Sequence, residues 1–255
     1  MHRPTLIAHR GYAARYPENT LPALQAAVQA GACWLEFDVQ LSADQVPVLL
    51  HDTTLDRTAG QPGAVFELTA RQLGAISVGE PARFGTQFVD VMLPTLAEVV
   101  AWLMTQPQVQ AFVEIKTESI QRFSVEAVHV AVMRVLEPVR KRCVLISFDD
   151  AFLFAARLAT SGATPMRIGW VASDWIDDCA RRARALAPDF LFANHTRLPP
   201  ELQPLWPGPW QWAAYEVADP TQALALAARG IAFVETMAVG ELLADARLSP
   251  VYDHA

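Results

Sequence analysis

The chain has 255 residues, of which 52% are hydrophobic and 18% charged, and its formal net charge is −7. That length can bury a full core, and the acidic balance argues against a nucleic-acid-binding body. No apolar segment reaches the roughly 20 residues that span a bilayer, and the charged start leads only into a short apolar run, so a cytoplasmic protein without stable membrane insertion is expected.

Short runs rich in Val, Ile, Leu and Phe alternate with helical patterns along the chain. Thr5–His9 reads as the first strand. Asn19 or Thr20 can cap a helix over Leu21–Ala30, which Gly31 ends. Cys33–Val39 reads as the second strand and continues into "FDVQLSADQVPVLLHD". There two strand-like runs are joined by only Ser42-Ala43-Asp44-Gln45. A parallel crossover needs about a dozen or more residues. The second run is therefore predicted to fold back antiparallel and to return His51 and Asp52 to the rim.

The next stretch, Thr53–Gln110, is too long for an ordinary βα loop. It is predicted to hold an inserted lobe over about residues 53–93, then a helix over Leu96–Thr105 with Thr95 and Glu98 as capping box. Strands follow at Ala111–Lys116, Cys143–Phe148, Arg167–Val171, Phe190–Ala193, Gln211–Glu216 and Ala232–Glu235. "LPPELQPLWPGPWQW" reads as a loop, and Asp219-Pro220 starts a helix that Gly230 stops. The fold class is α/β. The expected architecture is one (β/α)8 TIM-type barrel over residues 1–255, with an extra hairpin strand and a small insertion after it. Cys33, Cys143 and Cys179 are widely spaced and form no CxxC. They are expected as buried small hydrophobes in a reducing compartment.

In such a barrel, active sites lie at the C-terminal ends of the strands. The polar residues that interrupt the apolar runs are therefore candidates. Thr5–His9 ends in His9-Arg10. Glu36 and Asp38 are two apart and point to one side of their strand, as do Glu114 and Lys116. The hairpin returns His51-Asp52, and Phe190–Ala193 runs into Asn194-His195. Each piece has a bland reading: a solvated strand edge, a hydrogen-bonded structural histidine, a chance EIK. Together they are hard to dismiss. Three inward carboxylates need a partner, and one hard divalent cation, Mg²⁺ or Ca²⁺, suits them. His9 and His51 can then act as acid and base, while Arg10 and Lys116 bind an anion. A metal, two imidazoles and two cations describe a phosphoryl-transfer site. Gly11 lets the backbone turn tightly behind them. His2, His129 and His254 have no such context.

The blocks "AHRGYAARYPENTLPAL", "LEFDVQLSADQVPVLLHDTTLDRT", "LPTLAEVV" and "VEIK" resemble the glycerophosphodiester phosphodiesterases, strongly over Leu6–Lys116 and more weakly through "LISFD" and "FANH". The resemblance implies a barrel of the phospholipase-C-like phosphodiesterase class that splits glycerophosphodiesters into glycerol 3-phosphate and an alcohol. It implies His9 and His51 as the acid/base pair, Glu36, Asp38 and Glu114 as ligands of Ca²⁺ or Mg²⁺, and Arg10 and Lys116 as phosphate contacts. Glu18 and Asn19 of "PENT" read as mainly structural, Asn19 as a helix cap. The chain departs from the family pattern near its end. Members commonly carry "WTVN" where this chain has "YEVA", Tyr215–Ala218, and often "TD" where it has "ETM", Glu235–Met237. Glu216 and Glu235 can add charge to the pocket; for Glu235 the favoured expectation is a rim position facing solvent or an arginine.

Two other functions fit parts of this pattern. A lysophospholipase D-like enzyme would use the same chemistry and need an apolar groove, which Trp206, Trp210, Trp212, Phe84 and Phe88 could line. A non-catalytic barrel could keep the metal and anion pocket alone, but binding does not require two proton carriers.

Overall fold

The computed structural model describes residues 3–159 and 165–249; His2 and His254 lie outside them. Nine strands occur in chain order: β1 (Thr5–Ala8), β2 (Trp34–Leu41), β3 (Pro47–Leu49), β4 (Gln110–Ile115), β5 (Cys143–Ser147), β6 (Arg167–Ala172), β7 (Phe190–Asn194), β8 (Gln211–Tyr215) and β9 (Ile231–Thr236). Their order is β1-β9-β8-β7-β6-β5-β4-β2, and the parallel pairing of β1 with β2 closes the ring. The result is a closed eight-stranded parallel barrel with β3 outside it, as the alternation of strand and helix predicts.

The hairpin follows from the length of β2. This strand outruns the ring, and its last residues pair antiparallel with β3, Val39 opposite Leu49 and Leu41 opposite Pro47. The side chain of Gln40 then donates to the backbone carbonyls of His51, at 3.1 Å, and Asp52, at 2.7 Å. These bonds satisfy the returning backbone and fix where His51 is presented.

Two helix termini singled out in the sequence carry their expected chemistry. Thr95 and Glu98 form the capping box of Leu96–Met104. Asp219 caps Pro220–Ala228, and Gly230 follows with φ of 95°. The helix Leu21–Gln29 is capped by Thr20; Asn19 is free for another task described below. Gly11 has φ of 80°, and a Cβ there would lie 2.6 Å from the Ala23 backbone carbon. The turn after β1 therefore needs glycine for its conformation and for the close approach of the first helix.

Three apolar clusters form among the described residues. One lies between the strands and the surrounding helices. A second occupies the barrel interior. Its floor is aromatic: Trp34 stacks on Phe112 at 4.8 Å between centroids, and Phe112, Phe190 and Phe233 meet edge to face. The third gathers Leu55, Val65, Leu73, Val78 and Leu93 of the segment after the hairpin around Val48 and Leu50. One expectation fails: Cys33 is exposed in the loop before β2, whereas Cys143 and Cys179 are buried. Among the described residues no helix is long and apolar enough to cross a membrane.

Candidate active site

Inward parity on the barrel strands builds the site. Trp34 is the floor residue of β2, so Glu36 and Asp38 stand above it on the same face. Phe112 plays that part on β4, with Glu114 and Lys116 above. Asp38 pairs with Glu114 in the β2–β4 register. Glu36, Asp38 and Glu114 each bring a carboxylate oxygen within 4.8 Å of the others, and all three are buried. A cavity of about 100 Å³ opens beside them, lined among others by His9, Arg10, His51, Lys116, Tyr215 and Glu235. The structure thus brings all seven predicted site residues to one end of the barrel.

Both cations are engaged with buried acids. Arg10 contacts Asp38 through Nε at 3.2 Å and bonds Glu18 at 2.9 Å. Lys116 bonds Glu114 at 2.8 Å and lies 3.4 Å from Asp38. Burial opposes the charge of Asp38, but Lys116 and Arg10 outweigh it and hold its pKa well below the carboxylate range. Glu36 moves the other way. Burial, then the charges of Asp38, Glu235 and Glu114, push its pKa well up. Its Oε1 has no hydrogen-bond partner among the described residues. A buried set of hard oxygen donors with one orphaned oxygen, carrying more acids than nearby cations, is chemically suited to a divalent cation.

Each histidine has a carboxylate on its Nδ1. His9 bonds Glu216, and His51 bonds Asp52 at 2.7 Å. Burial disfavours charge on the His9 ring, but the Glu216 bond and the Glu235 charge outweigh it, so its pKa is raised. Asp52 is held in turn by Arg57, and Arg57 also grips both oxygens of Glu18 at 2.7 Å. Arg57 and Arg10 therefore share Glu18, which ties the segment after the hairpin to the first βα turn. The bonds of Arg57 to Glu18 and Asp52 lower both acids, Asp52 to about 2, against their burial.

Several of these groups were not legible beforehand. Arg57 is one charge in "TTLDRT" with no periodicity to single it out. Asn19 does not cap the helix; its amide donates to Asp38 at 2.8 Å and its carbonyl oxygen accepts from the Asp38 backbone N–H at 3.0 Å. Glu235 does not sit on the rim. It is only 4% exposed, lines the cavity, and its Oε1 lacks a hydrogen-bond partner among the described residues. Burial and the neighbouring acids, against the pull of His9, raise its pKa to about 8. It lies there because β9 pairs with β1 with Glu235 opposite the inward Ile7. His195 begins a 3₁₀ turn, bonds Gln222 at 3.0 Å and does not line the cavity. Trp210 and Trp212 are buried in the outer core, and Trp206 stacks on Trp175 at 3.9 Å. Phe84 and Phe88 pack on each other. These rings are largely packed on one another.

The sequence profile described as "Glycerophosphoryl diester phosphodiesterase family" matches residues 9–196, which include every one of the seven residues above. The chain belongs to this family. Human glycerophosphodiester phosphodiesterase 1 is 40% identical over 99 residues, 39% of this chain and 30% of the relative. A glycerophosphodiester phosphodiesterase of Caldanaerobacter subterraneus is 40% identical over 94 residues, 37% of this chain and 38% of the relative. The matched stretch thus spans about a third of these curated relatives. The fold is similar to that of an Oleispira antarctica phosphodiesterase solved with the product sn-glycerol-3-phosphate: TM-score 0.79, 24% identity, 94% of this chain and 95% of that one. A glycerophosphodiester phosphodiesterase of Thermotoga maritima gives a TM-score of 0.70 at 22% identity, over 95% and 98% of the two chains.

Proposed function

We propose that this member of the family hydrolyses glycerophosphodiesters to glycerol 3-phosphate and an alcohol. The observation that carries the reading is the meeting of His9 and His51, each with a carboxylate on Nδ1, at one cavity beside the Glu36, Asp38 and Glu114 cluster. A carboxylate on Nδ1 leaves Nε2 as the ring atom free to take or give a proton. Arg10 and Lys116 line the same cavity and set positive charge where a phosphate would enter. A divalent cation, Mg²⁺ or Ca²⁺, held by Glu36, Asp38 and Glu114 would add positive charge against the phosphoryl oxygens.

The site offers two proton carriers and, among the described residues lining the cavity, no serine or cysteine. The nucleophile in this reading is the glycerol 2-hydroxyl. Its oxygen attacks phosphorus while one histidine takes its proton. The bond from phosphorus to the departing alcohol oxygen breaks as the other histidine protonates that oxygen. Water then opens the cyclic phosphate, the histidines exchanging roles, and glycerol 3-phosphate leaves. We also take residues 53–93 as an inserted lobe of the single barrel domain, joined to the site through Arg57.

The test is product release from several glycerophosphodiesters, with and without chelator, by the wild type and by His9→Ala. Turnover lost in chelator and in the variant supports the reading; full activity of metal-stripped enzyme in chelator, or of the variant, removes it. A 2-deoxy diester separates the mechanism from the activity. It should bind but turn over very slowly, and comparable turnover rejects attack by the 2-hydroxyl alone.

A further inference from the structure

The two places where the chain leaves its family pattern, "YEVA" and "ETM", meet at one side chain. Glu216 lies in the first of these stretches, and Met237 ends the second. In the fold, Glu216 Oε2 contacts His9 Nδ1, and Glu216 Oε1 accepts from the Met237 backbone N–H at 2.7 Å. A carboxylate thus occupies the corner between the ends of β8, β9 and β1, supplied by the residue that follows β8.

We propose that Glu216 is the positioning residue of His9, holding the ring by its Nδ1–H so that Nε2 faces the cavity. The inference rests on the reading of His9 as a proton carrier. Its chemistry is a matter of counting donors. The Met237 amide N–H points at Glu216, and His9 Nδ1 can bond an ionised carboxylate only by donating, so two N–H groups need an acceptor there. A carboxylate has two oxygens and serves both. An amide or a hydroxyl offers both of its lone pairs from a single oxygen, so it would have to stand within reach of both N–H groups at one point, whereas the two carboxylate oxygens here each meet one. Fixing the proton on Nδ1 leaves the Nε2 lone pair free, and Nε2 lies on the side of the metal-type cluster, 3.8 Å from Glu36 Oε2. The arrangement repeats what Asp52 does for His51. Asp52 has its own anchor in Arg57, whereas Glu216 is anchored by a backbone amide.

Glu216→Gln is nearly isosteric and tests this directly. Its single oxygen goes to the Met237 amide, and its NH₂ turns toward Nδ1, which must then accept, moving the ring proton to Nε2. The expected result is a fall in kcat of roughly 10²-fold or more, with KM within about threefold and an unchanged melting temperature. Nitrogen-15 NMR of the histidine rings should show His9 changing tautomer in the variant while His51 does not. A Glu216→Gln enzyme with near wild-type kcat, alongside an inactive His9→Ala enzyme, overturns the proposal and leaves the acid/base reading intact. An unchanged His9 tautomer overturns it as well. An active His9→Ala enzyme removes the reading on which it rests.

Discussion

At the scale of single residues, two roles separate cleanly. His9→Ala and His51→Ala should each lower kcat by at least roughly 10²-fold. If the two histidines carry protons as one unit, as proposed, the double variant should cost far less than the product of the singles. Steady-state kinetics of the three variants decides the matter; one single variant at wild-type kcat would make that histidine structural. Glu235 makes a different prediction, about stability. Its folded pKa of about 8 lies above its ordinary 4.5. Between those values the folded state keeps a proton that the unfolded state has lost. Stability from this group is therefore complete below pH 4.5 and falls as pH rises toward 8, by about 1.4 kcal/mol per unit. Glu235→Gln is neutral throughout. In metal-stripped protein its stability advantage over wild type should grow from pH 5 to pH 8 in urea melts; a constant difference would show that Glu235 is ionised in the folded state at neutral pH.

Among the elements, the turn between β1 and the Leu21–Gln29 helix is the tightest constraint. Gly11 combines a left-handed φ with an approach to the Ala23 backbone that leaves no room for a methyl group. Gly11→Ala must move the helix away from the strand, and Asn19 and Arg10 move with it. A destabilisation on the order of 3 kcal/mol is expected in urea melts, with lower kcat because Asn19 positions Asp38. Stability within about 0.5 kcal/mol of wild type would mean that this turn has slack the geometry does not suggest. Part of this element was legible: HRG at a strand end predicts a tight backbone turn at Gly11, and Asn19 or Thr20 a cap before Leu21. Which of Asn19 and Thr20 serves the cap was not, since both are competent caps. Only the presence of Asp38 across the turn assigns Asn19 to it.

For the molecule as a whole, the buried acids of the barrel mouth exceed the cations beside them, so a divalent cation should bind the folded state and not the unfolded one. At about 100 times its dissociation constant such an ion stabilises by about 2.7 kcal/mol. That corresponds to roughly 5–10 °C in melting temperature for a chain of this size. Differential scanning calorimetry of stripped protein with Mg²⁺ or Ca²⁺ should show the shift, and Glu36→Gln should abolish most of it. No shift with either ion would reject the metal assignment while leaving the barrel untouched.

The amino-acid sequence by itself determined the barrel, the outlying hairpin strand and the seven residues at the mouth. Each of those follows from a local rule: period two along a strand, a linker too short for a parallel crossover, polar residues where apolar runs stop. Glu36 with Asp38, and Glu114 with Lys116, are neighbours two residues apart, so periodicity alone groups them. Glu216 and His9 are 207 positions apart, and no local pattern can pair them. Closure of the ring does so, by placing β9 between β1 and β8. The same closure decided that Glu235 turns inward beside Ile7 instead of outward to solvent. Strand parity relative to the barrel axis is set by pairing with both neighbours, and the chain declares those neighbours only once the barrel is shut.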